Sequence, residues 1–281
     1  MKSLFPQLGV IHVSGDDAAS FLHNQLSNDI LNLPEQNACL ATYNSAQGRV
    51  TSTMIVVRNA NDFLLITSSD LLETLTRRLQ MFILRSKVKL SISDNLAVAI
   101  SLPDNERNLD LSYDEPLRFP YEIDISGCLK LKMLHNGILL IGDIDKLPAY
   151  NQNITRQFEW LNIKNGLAMI DANTSNTCVA QMLNLHKLGA INFKKGCYPG
   201  QEVIAKAQYR TNVKRGLALL KSNQSENNGT NITNANNESV GLVINHINEH
   251  LLCVIKHEAV KQDLYIQQKK LKLEKTFFQV A

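Results

Sequence analysis

Nine consecutive residues, KKGCYPGQE at 194–202, gather the side chains best suited to chemistry in this chain: a thiol, two lysines, a tyrosine, a glutamine and a glutamate. The QEVIAKAQY that follows Pro199-Gly200 reads as a helix. Cys197 then lies close to free backbone N–H groups and the positive end of a helix dipole, and both favour a thiolate. Lys194 and Lys195 add charge of the same sign. Gly196 and Gly200 permit sharp turns, and Pro199 pre-sets the chain for helix entry. The competing reading is a small buried residue in a tight loop, and exposure separates the two. This run of residue types serves no periodic packing scheme, which argues for function.

A nucleophilic cysteine needs a base. His186 serves if the fold brings it within ~3 Å-scale hydrogen-bond reach; otherwise it is a satisfied core or surface histidine. His246 and His250 are four apart, but HINEH falls between strand-like runs, so they read as turn residues and not as a helical metal pair. The five cysteines (Cys39, Cys128, Cys178, Cys197 and Cys253) are scattered, odd in number and without a C-x-x-C pair. Neither a disulfide framework nor a metal site is expected. Arg210 and Lys214 are placed to meet an anionic ligand or to guard an exposed barrel edge. Arg77-Arg78 and the KKLKLEK string read as solvated faces. Asn28 and Asp29, which end a predicted helix, are either a polar cap or a pocket wall.

These groups need elements to position them. LGVIHVSG reads as a strand, after which Ser14 or Gly15 can cap a helix with Ala18, Phe21, Leu22 and Leu26 on one face. CLATYN and GRVTSTMIVVR form a hairpin through Ser45-Ala46-Gln47-Gly48, and DFLLITSS adds a strand. Leu71, Leu72, Leu75, Leu79, Phe82 and Ile83 share a stripe that predicts a helix over 70–84. KVKLSIS, LAVAISL, YEIDISG, LKLKML and GILLIGD continue the strands, the last four as a second sheet lobe at about 96–145. Asn153 can cap a helix carrying Ile154, Phe158 and Leu161, and another short helix begins near Cys178. The stretch at 222–239, rich in Asn and Ser, lacks the apolar residues for a core element and reads as a flexible loop. Strand-like runs flank it, so a small β-barrel is expected over 211–281.

The 281 residues carry 44% hydrophobic and 20% charged residues and a net charge of +3, which argues against a disordered, fibrous or nucleic-acid-binding chain. The first residues are too interrupted for a signal peptide, and no run approaches the ~18 apolar residues of a membrane span. A cytoplasmic protein, with no membrane association and no sign of an obligate interface, is the expectation.

LNLHKLGAINFKKGCYPGQEVIAKAQYR resembles the signature K-G-C-Y-x-G-Q-E, with its preceding N-L-x-x-L-x-x-I-x-F-x-K, of the YgfZ family of folate-binding proteins, relatives of the aminomethyltransferase (T-protein) of the glycine cleavage system. FLHNQLSNDI is similar to that family's F-L-x-G-Q-L-T-N-D-V; YNSAQGRV and NIKNGLAMIDANTS match further segments, so the likeness spans about residues 8–215. The resemblance implies an α+β, aminomethyltransferase-like fold of two mixed sheet-helix lobes, about 1–95 and 96–210, with the barrel after them. It implies a tetrahydrofolate-binding protein that assists assembly or repair of iron–sulfur enzymes, tRNA-thiomodifying ones included. Cys197 would be the functional thiol, framed by Lys195, Gly196 and Gly200. Phe158, Asn28, Tyr198, Gln201, Glu202 and Arg210 would form the folate-binding set.

Two departures bear on activity. Where transferase relatives carry paired aspartates, this chain has Ser52 and Thr53, and neither hydroxyl replaces an ionised carboxylate near neutral pH. Where relatives carry a glutamate for the pterin's donor edge, it has Lys164, which can only donate. A binding protein serving iron–sulfur clients is therefore expected ahead of a folate-dependent aminomethyltransferase or a cysteine-nucleophile hydrolase or transferase.

Overall fold

The computed structural model describes residues 1–103, 118–123, 127–210 and 213–278. Strands β1 (Lys2–Leu4) and β2 (Leu8–Ser14) precede helix α1 (Ala18–Gln25), and β3 (Asn37–Asn44), β4 (Val50–Asn59) and β5 (Asp62–Ser68) follow. After α2 (Leu72–Gln80) come β6 (Lys89–Ile92), β7 (Leu96–Ser101), β8 (Arg118–Ile123), β9 (Leu129–Lys132) and β10 (Ile138–Asp143), then α3 (Gln152–Lys164) and α4 (Gln201–Tyr209). The strand read in YEIDISG ends at Ile123, and its residues 124–126 lie outside the described residues.

Alternation along the strands sends side chains to both sheet faces, and both are covered. In β2, Ile11 and Val13 pack under α1 and α2 with Phe21, Leu22, Leu75 and Leu79, whereas Val10 faces Phe158 and Ile154 of α3. All ten strands form one sheet, in the order β1-β7-β10-β9-β8-β3-β4-β5-β2-β6, with antiparallel pairing between neighbours. Strands β2 to β6 make one half of it, and β1 with β7 to β10 the other. Pairing of Ala38 with Phe119 on β8 joins them, and β1 crosses from the start of the chain to pair with β7.

Helix ends differ from the sequence reading for local reasons. Ser14 closes β2, and Gly15 turns at φ +114 against the carbonyl of Lys87, so the N-cap position passes to Asp17. α2 stops at Gln80, because the chain turns back toward β6 through Leu84 at φ +46; Phe82 is left exposed. Asn151, not Asn153, caps α3, its Oδ1 accepting the N–H groups of Asn153 (3.1 Å) and Ile154 (3.2 Å). Near Cys178 the expected short helix is a 3-10 turn, Ala180–Leu183.

Beyond residues 211–212, which lie outside the described residues, come β11 (Arg215–Lys221), β12 (Asn231–Thr233), β13 (Ser239–Ile247), β14 (His250–Lys256), β15 (Leu264–Ile266) and β16 (Lys269–Thr276). They close a barrel in the order β11-β14-β13-β12-β15-β16. Ala218, Leu220, Val243, Leu251 and Cys253 fill its interior. On the alternate positions, Leu217, Leu219, Ile244 and Leu252 pack against Ile163, Leu183, Leu188, Ile191, Tyr198 and Ile204. The segment between α3 and the barrel is therefore clamped where the candidate thiol is presented.

The 222–239 stretch corrects the reading of a loop without a core element. It contains β12, whose Ile232 is wholly buried in the barrel. Its asparagines fold it locally: Asn234 Oδ1 accepts the N–H groups of Asn236 and Glu238, and Asn228 donates to Asp171. No helix among the described residues is long and apolar enough to cross a membrane.

Candidate functional site

The Cys197 loop is fixed from three directions. Asn192 Oδ1 accepts the N–H groups of Lys194 (2.8 Å) and Lys195 (3.0 Å), an Asx-type turn that begins the loop. Lys195 turns inward, 9% exposed, and its ammonium donates to the carbonyls of Leu26 (2.7 Å) and His23, at the C-terminal end of α1. A cation suits those unpaired carbonyls and the negative end of the helix. The same ammonium lies 4.8 Å from the Tyr198 ring centroid. Burial brings Lys195 down to about 8, against the pull of Asp29 and Cys197.

At the far end, Gly200 takes φ +77 as the N-cap of α4, and Gly48 takes φ +71 in the β3–β4 turn. The two backbones touch: a Cβ on Gly200 would lie 2.4 Å from the Ser45 carbonyl oxygen and 2.6 Å from Gly48 Cα. Between these anchors Cys197 is exposed, and it is the exposed one of the five cysteines. Exposure at this loop removes the buried-filler reading.

His23 and Asp29, which flank the end of α1, face this loop. His23 Nδ1 lies 3.2 Å from Asp29 Oδ1, with the side chains 13% and 15% exposed. His23 Nε2 lies 3.7 Å from where a Cβ on Gly196 would sit. Burial, and then Lys195, lower the His23 pKa, against Asp29.

A separate cavity of about 100 Å³ opens beside α3, and Leu134, Phe158, Leu167 and Met169 are among its apolar walls. Thr53 and Asn162 supply its polar groups. Thr53 Oγ1 accepts the Ile170 N–H at 3.0 Å, and the Asn162 amide meets His135 Nε2 at 2.9 Å. Asn162, Leu167 and Met169 also line a polar vestibule of about 540 Å³ that includes Asp70, Arg156 and Glu159. Gln7 donates to Glu159, whose carboxyl burial pushes up against the opposing effect of Arg156.

The residues read as one folate-binding set divide between places. Phe158 lines the apolar cavity; Asn28, Tyr198, Gln201, Glu202 and Arg210 line neither the cavity nor the vestibule. Asn28 is buried and spent on structure, donating to the carbonyls of Leu40 (2.6 Å) and Gly189 (2.9 Å). Tyr198 is buried under Lys195, and burial raises its phenol pKa. Gln201 opens α4, and Glu202 and Arg210 are exposed at its two ends. Lys164 lines neither space. Asn162 was not singled out, though it is four residues from Phe158 and so shares its helix face, and Thr53 was noted only as standing in place of an aspartate.

The other histidines are accounted for by packing. His246 meets Asn228 at 2.9 Å in β13, and His250 stacks near Trp160, centroids 4.3 Å apart, with Glu274 at 3.3 Å. No metal-sized cluster of His, Cys, Asp or Glu occurs among the described residues. His186 is largely buried, its Nδ1 has no hydrogen-bond partner among the described residues, and burial lowers its pKa to about 4. Unfolding restores the ordinary histidine value of 6.5, so protons bind preferentially to the unfolded chain as pH falls from 6.5 toward 4. Up to about 3 kcal/mol of stability should disappear across that window. Urea midpoints of His186→Gln should fall less steeply between those pH values; parallel curves would remove the assignment.

Sheet, clamped motif segment and closed barrel together define the aminomethyltransferase class of fold. Aminomethyltransferase T of the glycine cleavage system from Bartonella henselae matches with a TM-score of 0.69 over 98% of this chain and 84% of that one, at 11% identity. No protein-family model matches this chain. The tRNA-modifying protein YgfZ of Escherichia coli O45:K1 (strain S88 / ExPEC) is 30% identical over 226 residues, 76% of this chain and 69% of that protein. The tRNA-modifying protein YgfZ of Colwellia psychrerythraea (strain 34H / ATCC BAA-681) is 28% identical over 230 residues, 77% and 70% of the two chains. The chain belongs to the YgfZ family.

Proposed function

We propose that this protein is a cytoplasmic folate-binding accessory factor whose Cys197 thiol supports assembly or repair of iron–sulfur clusters in client enzymes, and through them tRNA modification. The observation that carries the reading is that one cysteine of five is exposed, on a loop anchored at both ends by residues of the same motif. Its relatives' names place them in tRNA modification.

For tetrahydrofolate, the residues present fit in kind: Phe158 and its aliphatic neighbours suit a flat ring, and the Asn162 amide and Thr53 hydroxyl suit its polar edge. A reduced folate would bring one-carbon carrying capacity to this cavity. Aminomethyl transfer has little support, since Ser52 is wholly buried and its hydroxyl meets that of Thr67 at 2.7 Å, while Thr53 holds Ile170. Neither takes the place of an acidic pair.

Cys197→Ser should fold normally yet lower tRNA thiolation and the activity of iron–sulfur enzymes in cells that depend on this copy. Tetrahydrofolate should bind the purified wild-type protein in a calorimetric titration. Full cellular activity of the serine variant would remove the thiol role; absence of binding heat at several temperatures would remove the folate role.

A further inference from the structure

Resting on the reading of Cys197 as a thiol that serves iron–sulfur client enzymes, we propose that the outward face of α4 is where those clients dock, and that it takes an acidic protein surface with an apolar recess. Of the residues of α4, Ile204 is the buried one, and most of the others turn outward. Glu202, Val203, Lys206 and Tyr209 are all exposed and fall at offsets of one, four and seven, the spacing of a single helix face. Arg210 is exposed where the helix ends. Two of these are large apolar side chains left in water, Val203 at 38% and Tyr209 at 70%. The face begins five residues after the exposed Cys197, a span of at most ~18 Å of chain. A patch of the usual ~800 Å² per partner reaches that far, so a protein seated on α4 has the thiol at its border.

The face is fixed before any partner arrives. Gly200 presses on Ser45 and Gly48 at the head of the helix, and Gln181 Nε2 donates to the Ile204 carbonyl at 2.8 Å in its middle. At the far end the Tyr209 ring stands edge-on to Phe193, centroids 5.6 Å apart, and Phe193 packs against the core. A ring held in this way loses little freedom when a partner buries it. Tyrosine and arginine are also the side chains that most often dominate an interface.

Charge selects the partner. Lys206 lies three residues before Tyr209, Arg210 follows it, and Lys194 adjoins the Phe193 against which the ring stands. Three cations therefore lie around the aromatic anchor. Glu202, the acid of α4, stands seven residues back, about 10 Å along the axis, at the helix start where a carboxylate is favoured. A cationic rim around an apolar ring complements a recess edged by Asp and Glu. RNA carries the same sign of charge, but Glu202 repels phosphates and Val203 gains nothing from them. A protein surface can set a cation against Glu202 and an apolar side chain against Val203.

Photocrosslinking in cells reads the docking directly. Tyr209→p-benzoylphenylalanine should form adducts with iron–sulfur enzymes of tRNA thiolation, at peptides rich in Asp and Glu. Glu249→p-benzoylphenylalanine should not, since Glu249 is exposed beside Lys221, at the opposite end of β11 from α4. Adding Arg210→Glu to the crosslinking chain should cut the adduct yield about tenfold. No such adduct, equal yields from both positions, or no effect of Arg210→Glu overturns the docking surface. In cells that depend on this copy, the double variant Tyr209→Ala, Arg210→Glu should be present at the wild-type level yet lower tRNA thiolation as Cys197→Ser does. Wild-type thiolation in the double variant, with Cys197→Ser impaired, also overturns it. If Cys197→Ser leaves thiolation intact, the reading of the thiol falls by itself and the crosslinks alone decide the surface. Retention of total tRNA on a filter by the purified wild type, and not by the double variant, would overturn the choice of a protein partner.

Discussion

Gly200→Val should cost at least about 4 kcal/mol of folding stability, or abolish folding outright. Two independent penalties add. The residue sits at φ +77, where a β-branched side chain loses roughly 1–2 kcal/mol. The new Cβ would also stand 2.4 Å from the Ser45 carbonyl oxygen and 2.6 Å from Gly48 Cα, both backbone atoms with no rotamer by which to yield. Gly200→Ala meets the same two obstacles with its single methyl group, so it should suffer nearly as much. Chemical denaturation monitored by circular dichroism gives the answer directly. A Gly200→Ala midpoint equal to wild type would show that the β3–β4 turn and the start of α4 do not press together in solution.

Phe158→Ala should cost ~3–5 kcal/mol, because the ring is 2% exposed and its removal enlarges a cavity that already exists. The loss includes edge-to-face contacts to Phe5 (5.6 Å between centroids) and His135 (5.1 Å). Phe158→Leu retains most of the volume and should cost under about half as much. The leucine variant also separates stability from binding. If a pterin stacks in this cavity, tetrahydrofolate should raise the wild-type melting temperature and raise that of Phe158→Leu much less. Equal ligand-induced shifts would place the folate elsewhere.

Most strands, the helix at 201–209 and the barrel could be read from the sequence because each has a strong local signal: alternation, a Pro-Gly start, or regularly spaced apolar runs; β1, three residues long, has none. Continuity of the ten-stranded sheet could not, since the β3–β8 pairing joins segments far apart in the chain and leaves no mark in either. The asparagine-rich stretch misled because composition counts apolar residues and does not weigh them. One isoleucine, Ile232, suffices to seat a three-residue strand when side-chain amides close the turns around it.

At the candidate site, the motif revealed the thiol and its glycines through residue type alone. It did not reveal that Lys195 points into the protein; a lysine beside a cysteine reads first as surface charge, and its inward course depends on the carbonyls of a distant helix end. Asn28, by contrast, was read as either cap or pocket wall, and its two carbonyl partners make it a bracket between β3 and the motif segment.

The closed barrel has a consequence for how other chains can approach. Among the described residues the ring of strands offers no unpaired rim, so a peptide from another protein would extend the open sheet there, at β1 or β6. Those two borders are three and four residues long and carry Lys2 and Lys89. Short, cationic borders resist templated stacking, which favours side-chain recognition over strand exchange whenever this molecule meets a partner.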